Sequence, residues 1–131
     1  FLGRFEQKER QPAYSLAEVE GYCKQVNEAR TVPWVILSAG VDIDEFIENV
    51  RIAKSAGASG FLCGRAIWKD AVNRMPDARA VEQFLETTGV ANFRKCHEAI
   101  KGARPWHEHP SVGGLKNITM AKAGPGWHKE Y

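Results

Sequence analysis

The chain has 131 residues, 44% of them hydrophobic, enough apolar material for one packed domain if its elements are complete. Eighteen Lys and Arg against sixteen Asp and Glu leave a net charge of +2, which excludes the concentrated field of a nucleic-acid or membrane-surface binder. No run approaches the roughly 20 apolar residues of a membrane helix, and the three cysteines, Cys23, Cys63 and Cys96, have no metal-type spacing, so they read as reduced core thiols of a soluble, cytoplasmic protein.

Phe1 to Ala13 is polar, lacks a period and contains Pro12; it reads as a loop arriving from something upstream, with Phe1 an internal start. Ser15 followed by Glu18 is a capping box, and Leu16, Val19, Tyr22, Cys23 and Val26 follow at helical spacing as a buried stripe that ends at Val32-Pro33. Trp34 to Leu37 is a short β-rich run of the kind covered on both faces in a parallel sheet, and it stops at Ser38-Ala39-Gly40. Asp42 as N-cap with Glu45 behind it then starts a helix whose apolar face is Ile43, Phe46, Ile47, Val50 and Ala53, with Gly57 as its stop. Gly60 to Cys63 is the next strand, ending at Gly64-Arg65. Strand, helix and strand within about 30 residues make a right-handed parallel βαβ unit.

A helix from Ala66 to Val72, a break near Pro76, helices over Ala78 to Thr87 and Asn92 to Ile100 separated by Gly89, and a poorly packed tail beyond Pro105 complete the chain. Two apolar parallel strands cannot stand as open edges. The missing strands come from elsewhere, and the economical parent is an α/β barrel of about 250 residues.

Both strand ends finish in small residues and run into helices. In a parallel barrel such ends lie side by side at the active face, where bare amides make a phosphate site; Ser38 can add a hydroxyl donor. Arg65 is the telling residue, because a cation in the first turn of a helix opposes the macrodipole by ~0.3–1 kcal/mol. A bound phosphate would offset that through a bidentate pair; simple solvation, or a pair with Asp70 or another acid, is the structural alternative. His107 and His109 around Glu108 lack the ligand number of a metal site. Asp42 and Glu45 are explained by capping and Asp44 by solvent, rather than by general acid or base work. Trp68 reads as a packing residue more than a sugar platform, and Cys63 as a buried, inert thiol whose alternative is a low-pKa thiolate near Arg65.

Pro33-Trp-Val-Ile-Leu-Ser-Ala-Gly40, Ala56-Gly-Ala-Ser-Gly-Phe-Leu-Cys-Gly-Arg-Ala-Ile-Trp68 and Phe84-Leu-Glu-Thr-Thr-Gly89 resemble, in order, the C-terminal segment of the tagatose-1,6-bisphosphate aldolases, a class I family. The likeness runs from Ser15 to Trp106 and fades after it. It implies the C-terminal part of a (β/α)₈ barrel over residues 1–106, with Trp34–Ser38 and Gly60–Cys63 as strands seven and eight, and a C-terminal tail over 107–131. It further implies that Ser38, Ala39, Gly40, Gly64 and Arg65 hold a substrate phosphate, while the Schiff-base lysine lies upstream of Phe1. No cofactor and no metal are required. The implied reaction is reversible cleavage of a phosphorylated ketose to dihydroxyacetone phosphate and an aldehyde. The implied partners are the phosphorylated sugar and the missing N-terminal strands or another chain that supplies them, with homo-oligomerisation left open. The residues alone also allow a phosphosugar isomerase or synthase barrel, or a non-catalytic half-barrel that pairs through its strand edges.

Overall fold

The computed structural model describes residues 14–119; the expected N-terminal loop lies outside them. Helix α1, Leu16–Ala29, begins as its sequence requires. The Glu18 amide donates to Ser15 Oγ at 3.3 Å, and the Ser15 amide donates back to the Glu18 carboxylate at 2.8 Å. The two bonds satisfy orphan donors reciprocally; the Ser15 hydroxyl, donating to the Glu18 carboxylate at 2.7 Å, and then the Ser15 amide hold that carboxyl below its ordinary range.

Strand β1, Val35–Leu37, and strand β2, Gly60–Leu62, pair in parallel with Val35 opposite Gly60, Ile36 opposite Phe61 and Leu37 opposite Leu62. The ladder extends past both ends, through Ser59 N to Trp34 O at 2.8 Å and Ser38 N to Leu62 O at 3.1 Å. Helix α2, Ile43–Ser55, makes the crossover. Its face of Phe46, Ile47, Val50 and Ala53 packs with Ile36 of β1 and with Cys96 and Ala99 of helix α5, Val90–Ile100. Phe46, Val50, Ala53 and Cys96 are each fully buried. The core therefore lies between the sheet and α5, with α2 at its centre. Burial of Phe46 and Val50 contributes about 1.5–3 kcal/mol each.

On the other flank of α2, Val19 and Cys23 of α1 pack against Ile52 and Ala56. Gly57 closes that side. Its φ of +105° suits a glycine, and a Cβ there would stand 2.4 Å from Asn27 Oδ1 of α1. The same oxygen accepts bonds from Arg30 Nε at 2.6 Å and Trp34 Nε1 at 3.2 Å, so Gly57 allows a polar knot joining α1, the start of β1 and the end of α2.

Several expectations change. The α1 stripe is only partly buried: Val19 and Cys23 are inside, whereas Leu16, Tyr22 and Val26 are exposed. Strand β1 is covered on one face, with Ile36 buried and Val35 and Leu37 exposed at 50% and 58%. Beyond β2 a single α-turn, α3 at Arg65–Trp68, passes into a 3₁₀ stretch over Lys69–Arg74 instead of a continuous helix. Gly89 does not divide two helices. Helix α4, Ala78–Phe84, runs through a π-turn at Leu85–Gly89 straight into α5, and Gly89 keeps a helical φ of −59°.

The tail is sparsely packed, as expected: among its described residues, 106–119, His109 alone is buried. Residues 106–119 form two short 3₁₀ turns, and His109 is buried against Arg30 at the end of α1. Among the described residues, no helix is long and apolar enough to cross a membrane.

Candidate functional site

The two strand ends place the sequence-derived site residues together. After β1 the chain turns through Ser38, Ala39, Gly40 and Val41, closed by Val41 N to Ser38 O at 3.2 Å. Ala39 and Gly40 both have positive φ, +51° and +84°, the signature of a primed turn. Ala39 pays for that conformation with roughly 1–2 kcal/mol of strain. After β2, Gly64 leaves the strand at φ −129°, ψ −87° and lets α3 start directly with Arg65.

Arg65 then crosses from the second strand end to the first. A Cβ on Gly40 would lie 3.1 Å from both Cζ and Nη2 of Arg65, so the guanidinium is laid against the bare face of the β1–α2 turn. A side chain at position 40 would obstruct it. Arg65 is exposed, and among the described residues it has no carboxylate partner; Asp70 instead engages Arg74, through its carbonyl, at 2.8 Å. The amides of Ala39, Gly40 and Gly64 donate to no other main-chain group among the described residues. A guanidinium beside bare N–H groups is the donor set an oxyanion takes.

Ser38 departs from its expected part. Its residue is buried, and its side chain is within hydrogen-bonding reach of Cys63, which in turn meets Cys96. The Ser38 carbonyl closes the turn by accepting from Val41 N. Burial pushes the Cys63 thiol up, against the lowering effect of its bonds to Cys96, Ser38 and the Ile67 backbone, and Cys96 is pushed up to about 12 by burial and by Cys63 beside it. Cys63 is half-buried rather than buried, and its raised thiol pKa runs against the thiolate alternative.

Two residues of this mouth were not singled out for it in the sequence. Lys69 Nζ donates to Asp42 Oδ1 at 2.5 Å and reaches the Gly40 carbonyl at 3.4 Å. Asp42 makes no side-chain capping bond to α2; its carboxylate serves this pair. The i, i+4 spacing of Arg65 and Lys69 carried the signal that one side of the segment gathers cations. Trp68, expected as a packing residue, is 43% exposed, with its indole nitrogen 3.5 Å from where a Gly64 Cβ would stand. His107 and His109 form no metal cluster with other described residues: His109 is held by Arg30 and Ser111, and His107 lies 4.0 Å from Glu108. A separate groove of about 870 Å³ between α2 and α5 is lined by charges of both signs, including Asp44, Glu48, Arg51, Arg94, Lys95 and Glu98. It contains none of the mouth residues.

Residues 10–70, which include both strand ends, match the model of the DeoC/LacD family aldolases. Curated proteins agree. The chain is 37% identical over 105 residues to tagatose 1,6-diphosphate aldolase 2 of Enterococcus faecalis, covering 76% of this chain and 32% of that protein. It is 37% identical over 98 residues to tagatose 1,6-diphosphate aldolase of Lactococcus lactis, covering 71% and 30%. For tagatose 1,6-diphosphate aldolase of Staphylococcus aureus the figures are 34% over 100 residues, covering 72% and 31%. The chain is a relative of the DeoC/LacD aldolases. It spans about a third of the length of the curated relatives it matches. The two parallel strands joined through α2 are the βαβ unit expected from the spacing of the sequence.

Proposed function

We propose that this chain is the C-terminal portion of a class I aldolase barrel, β1 and β2 being strands seven and eight, and that it supplies the phosphate clamp for a phosphorylated ketose such as tagatose 1,6-bisphosphate. The carrying observation is the Arg65 guanidinium lying against Gly40 across two adjacent strand ends. Strand-end amides at the C-terminal pole of a parallel barrel hold phosphate in many chemistries; the names of the relatives favour the aldolase among them. In this reading Ala39, Gly40 and Gly64 offer main-chain N–H groups, Ser38 shapes the turn, and Arg65 pairs with two phosphate oxygens. Residues 107–131 are an appended tail.

The clamp fixes one end of the substrate so that the carbonyl reaches a lysine from the rest of the barrel. That lysine condenses with the carbonyl, with loss of water, to a protonated imine that takes the electron pair of the breaking carbon–carbon bond while a base from the rest of the barrel takes the hydroxyl proton. The aldehyde leaves, and protonation and hydrolysis of the resulting enamine release dihydroxyacetone phosphate. None of the lysines of this chain takes that role, and the isolated chain is inactive.

The test uses the complete polypeptide that carries this chain. Arg65→Ala lowers kcat/KM for retro-aldol cleavage by about 10- to 150-fold, the equivalent of ~1.5–3 kcal/mol for a charge-assisted pair. Unchanged kcat/KM removes the clamp. Borohydride reduction in the presence of substrate traps a covalent adduct on a lysine outside this chain; an enzyme that turns over substrate but leaves no reduced adduct belongs to the isomerase or synthase class instead.

A further inference from the structure

We infer that Lys69, held by Asp42, is a positioning residue for the phosphate clamp, acting through the Gly40 peptide; the inference rests on the phosphate-binding reading above. The observation is a bridge between two chain segments. Asp42 stands at the head of α2, directly after the 38–41 turn, and Lys69 follows α3 on the other strand end. Lys69 Nζ touches both the Asp42 carboxylate, at 2.5 Å, and the Gly40 carbonyl, at 3.4 Å.

The bridge matters because of what it holds. Gly40 and Ala39 sit at positive φ, exposed or half-exposed, between the buried Ser38 and Val41, and strained turns persist only where their surroundings over-determine them. Lys69 fixes the Gly40 carbonyl on its own side. Rotating that peptide would withdraw the carbonyl from Lys69 and change the surface against which Arg65 lies. Arg65 and Lys69 leave the same segment and grip the same turn at Gly40, one at its bare Cα and one at its oxygen. The Lys69 side chain is about one third exposed, and its ammonium is already shared between a carboxylate and a carbonyl. Its part is therefore to set the turn, while Arg65 meets the anion.

A direct ligand and a positioning residue separate cleanly. In the complete polypeptide, Lys69→Met keeps the stem and removes the charge and donors. It raises KM for the phosphorylated ketose, and the dissociation constant of inorganic phosphate as competitive inhibitor, by about three- to tenfold with kcat within about twofold. Lys69→Arg restores most of the loss. Asp42→Asn also weakens phosphate, because Lys69 loses its anchor, and the double variant Asp42→Asn/Lys69→Met is no weaker than Lys69→Met alone. Tighter phosphate binding in Asp42→Asn overturns the inference, since a freed ammonium would then be an anion ligand in its own right. Unchanged phosphate binding in Lys69→Met overturns it as well. Arg65→Ala is run beside these variants: if it too leaves phosphate binding unchanged, the clamp itself has failed, whereas a weakened Arg65→Ala with an unaltered Lys69→Met rejects only the role of Lys69.

Discussion

Gly40 shows how one missing side chain can organise a mouth. Its φ of +84° disfavours any L side chain, and the space its Cβ would occupy is bordered by the Arg65 guanidinium at 3.1 Å. Gly40→Ala therefore adds about 1–2 kcal/mol of backbone strain and pushes the guanidinium outward. In the complete polypeptide the expected result is at least about a fivefold loss in kcat/KM, and no further loss when Gly40→Ala is added to Arg65→Ala, because both act on one contact. Additive losses would show that position 40 acts on the substrate without Arg65. That Gly40, Gly64 and Arg65 come together was legible in the sequence, because the ends of neighbouring parallel strands lie side by side and a glycine permits close approach. Lys69 was not. Its partner Asp42 is 27 positions away, and the helix-start pattern gave that aspartate a different use.

Among the elements, α2 was read almost to the residue, since a 3.6-residue period with a positive-φ glycine stop is a strong signal. The covering of α1 was misread because periodicity marks an apolar stripe without telling what covers it; Leu16, Tyr22 and Val26 remain open. The π-turn through Gly89 was missed because the helix is continued by tertiary packing of α4 and α5, which outweighs the glycine's poor propensity. At the end of α2, Gly57→Ala drives a methyl group into Asn27 and breaks the knot to Arg30 and Trp34. A destabilisation of about 1–3 kcal/mol follows, measurable as a lower urea midpoint at constant slope. The docked segment after α5 carries a pH signature. The Arg30 guanidinium, a donor only, stands at Nε2 of His109, which must accept, while Nδ1 lies 2.7 Å from the Ser111 hydroxyl, whose oxygen can accept the ring proton. Burial, then Arg30 and Arg104, lower its pKa. The docked form thus favours neutral imidazole, so its contribution is complete above the ordinary value of about 6.5 and falls away as pH drops through and below it. Thermal midpoints measured from pH 8 to pH 5 should decline more in the natural protein than in His109→Gln; parallel declines would remove His109 from the account.

At the scale of the whole molecule, the two strands pose the question of what lies on their open side. Parallel sheets are ordinarily covered on both faces, yet here α2 and α5 cover Ile36, while Val35, Leu37 and Leu62 are left 50%, 58% and 62% exposed. Side chains alternate along a strand, so Val35 and Leu37 share the face opposite Ile36. In the proposed barrel that face looks into the interior, where the side chains of the other strands fill the space. Val35 is the better probe of the two, because it lies at the start of β1, away from the Ser38–Gly40 turn. A carboxylate placed there is harmless if the face is wet and costly if it is enclosed. In the complete polypeptide, Val35→Asp should destabilise by about 2–4 kcal/mol through lost apolar burial and an unpaired buried charge, against about 0.5 kcal/mol or less for an exposed site. Val35→Ile, which keeps the apolar surface, should stay near the natural stability. Urea unfolding of the three proteins reads the difference directly, and a Val35→Asp protein as stable as the natural one would mean that no further strands close over this sheet.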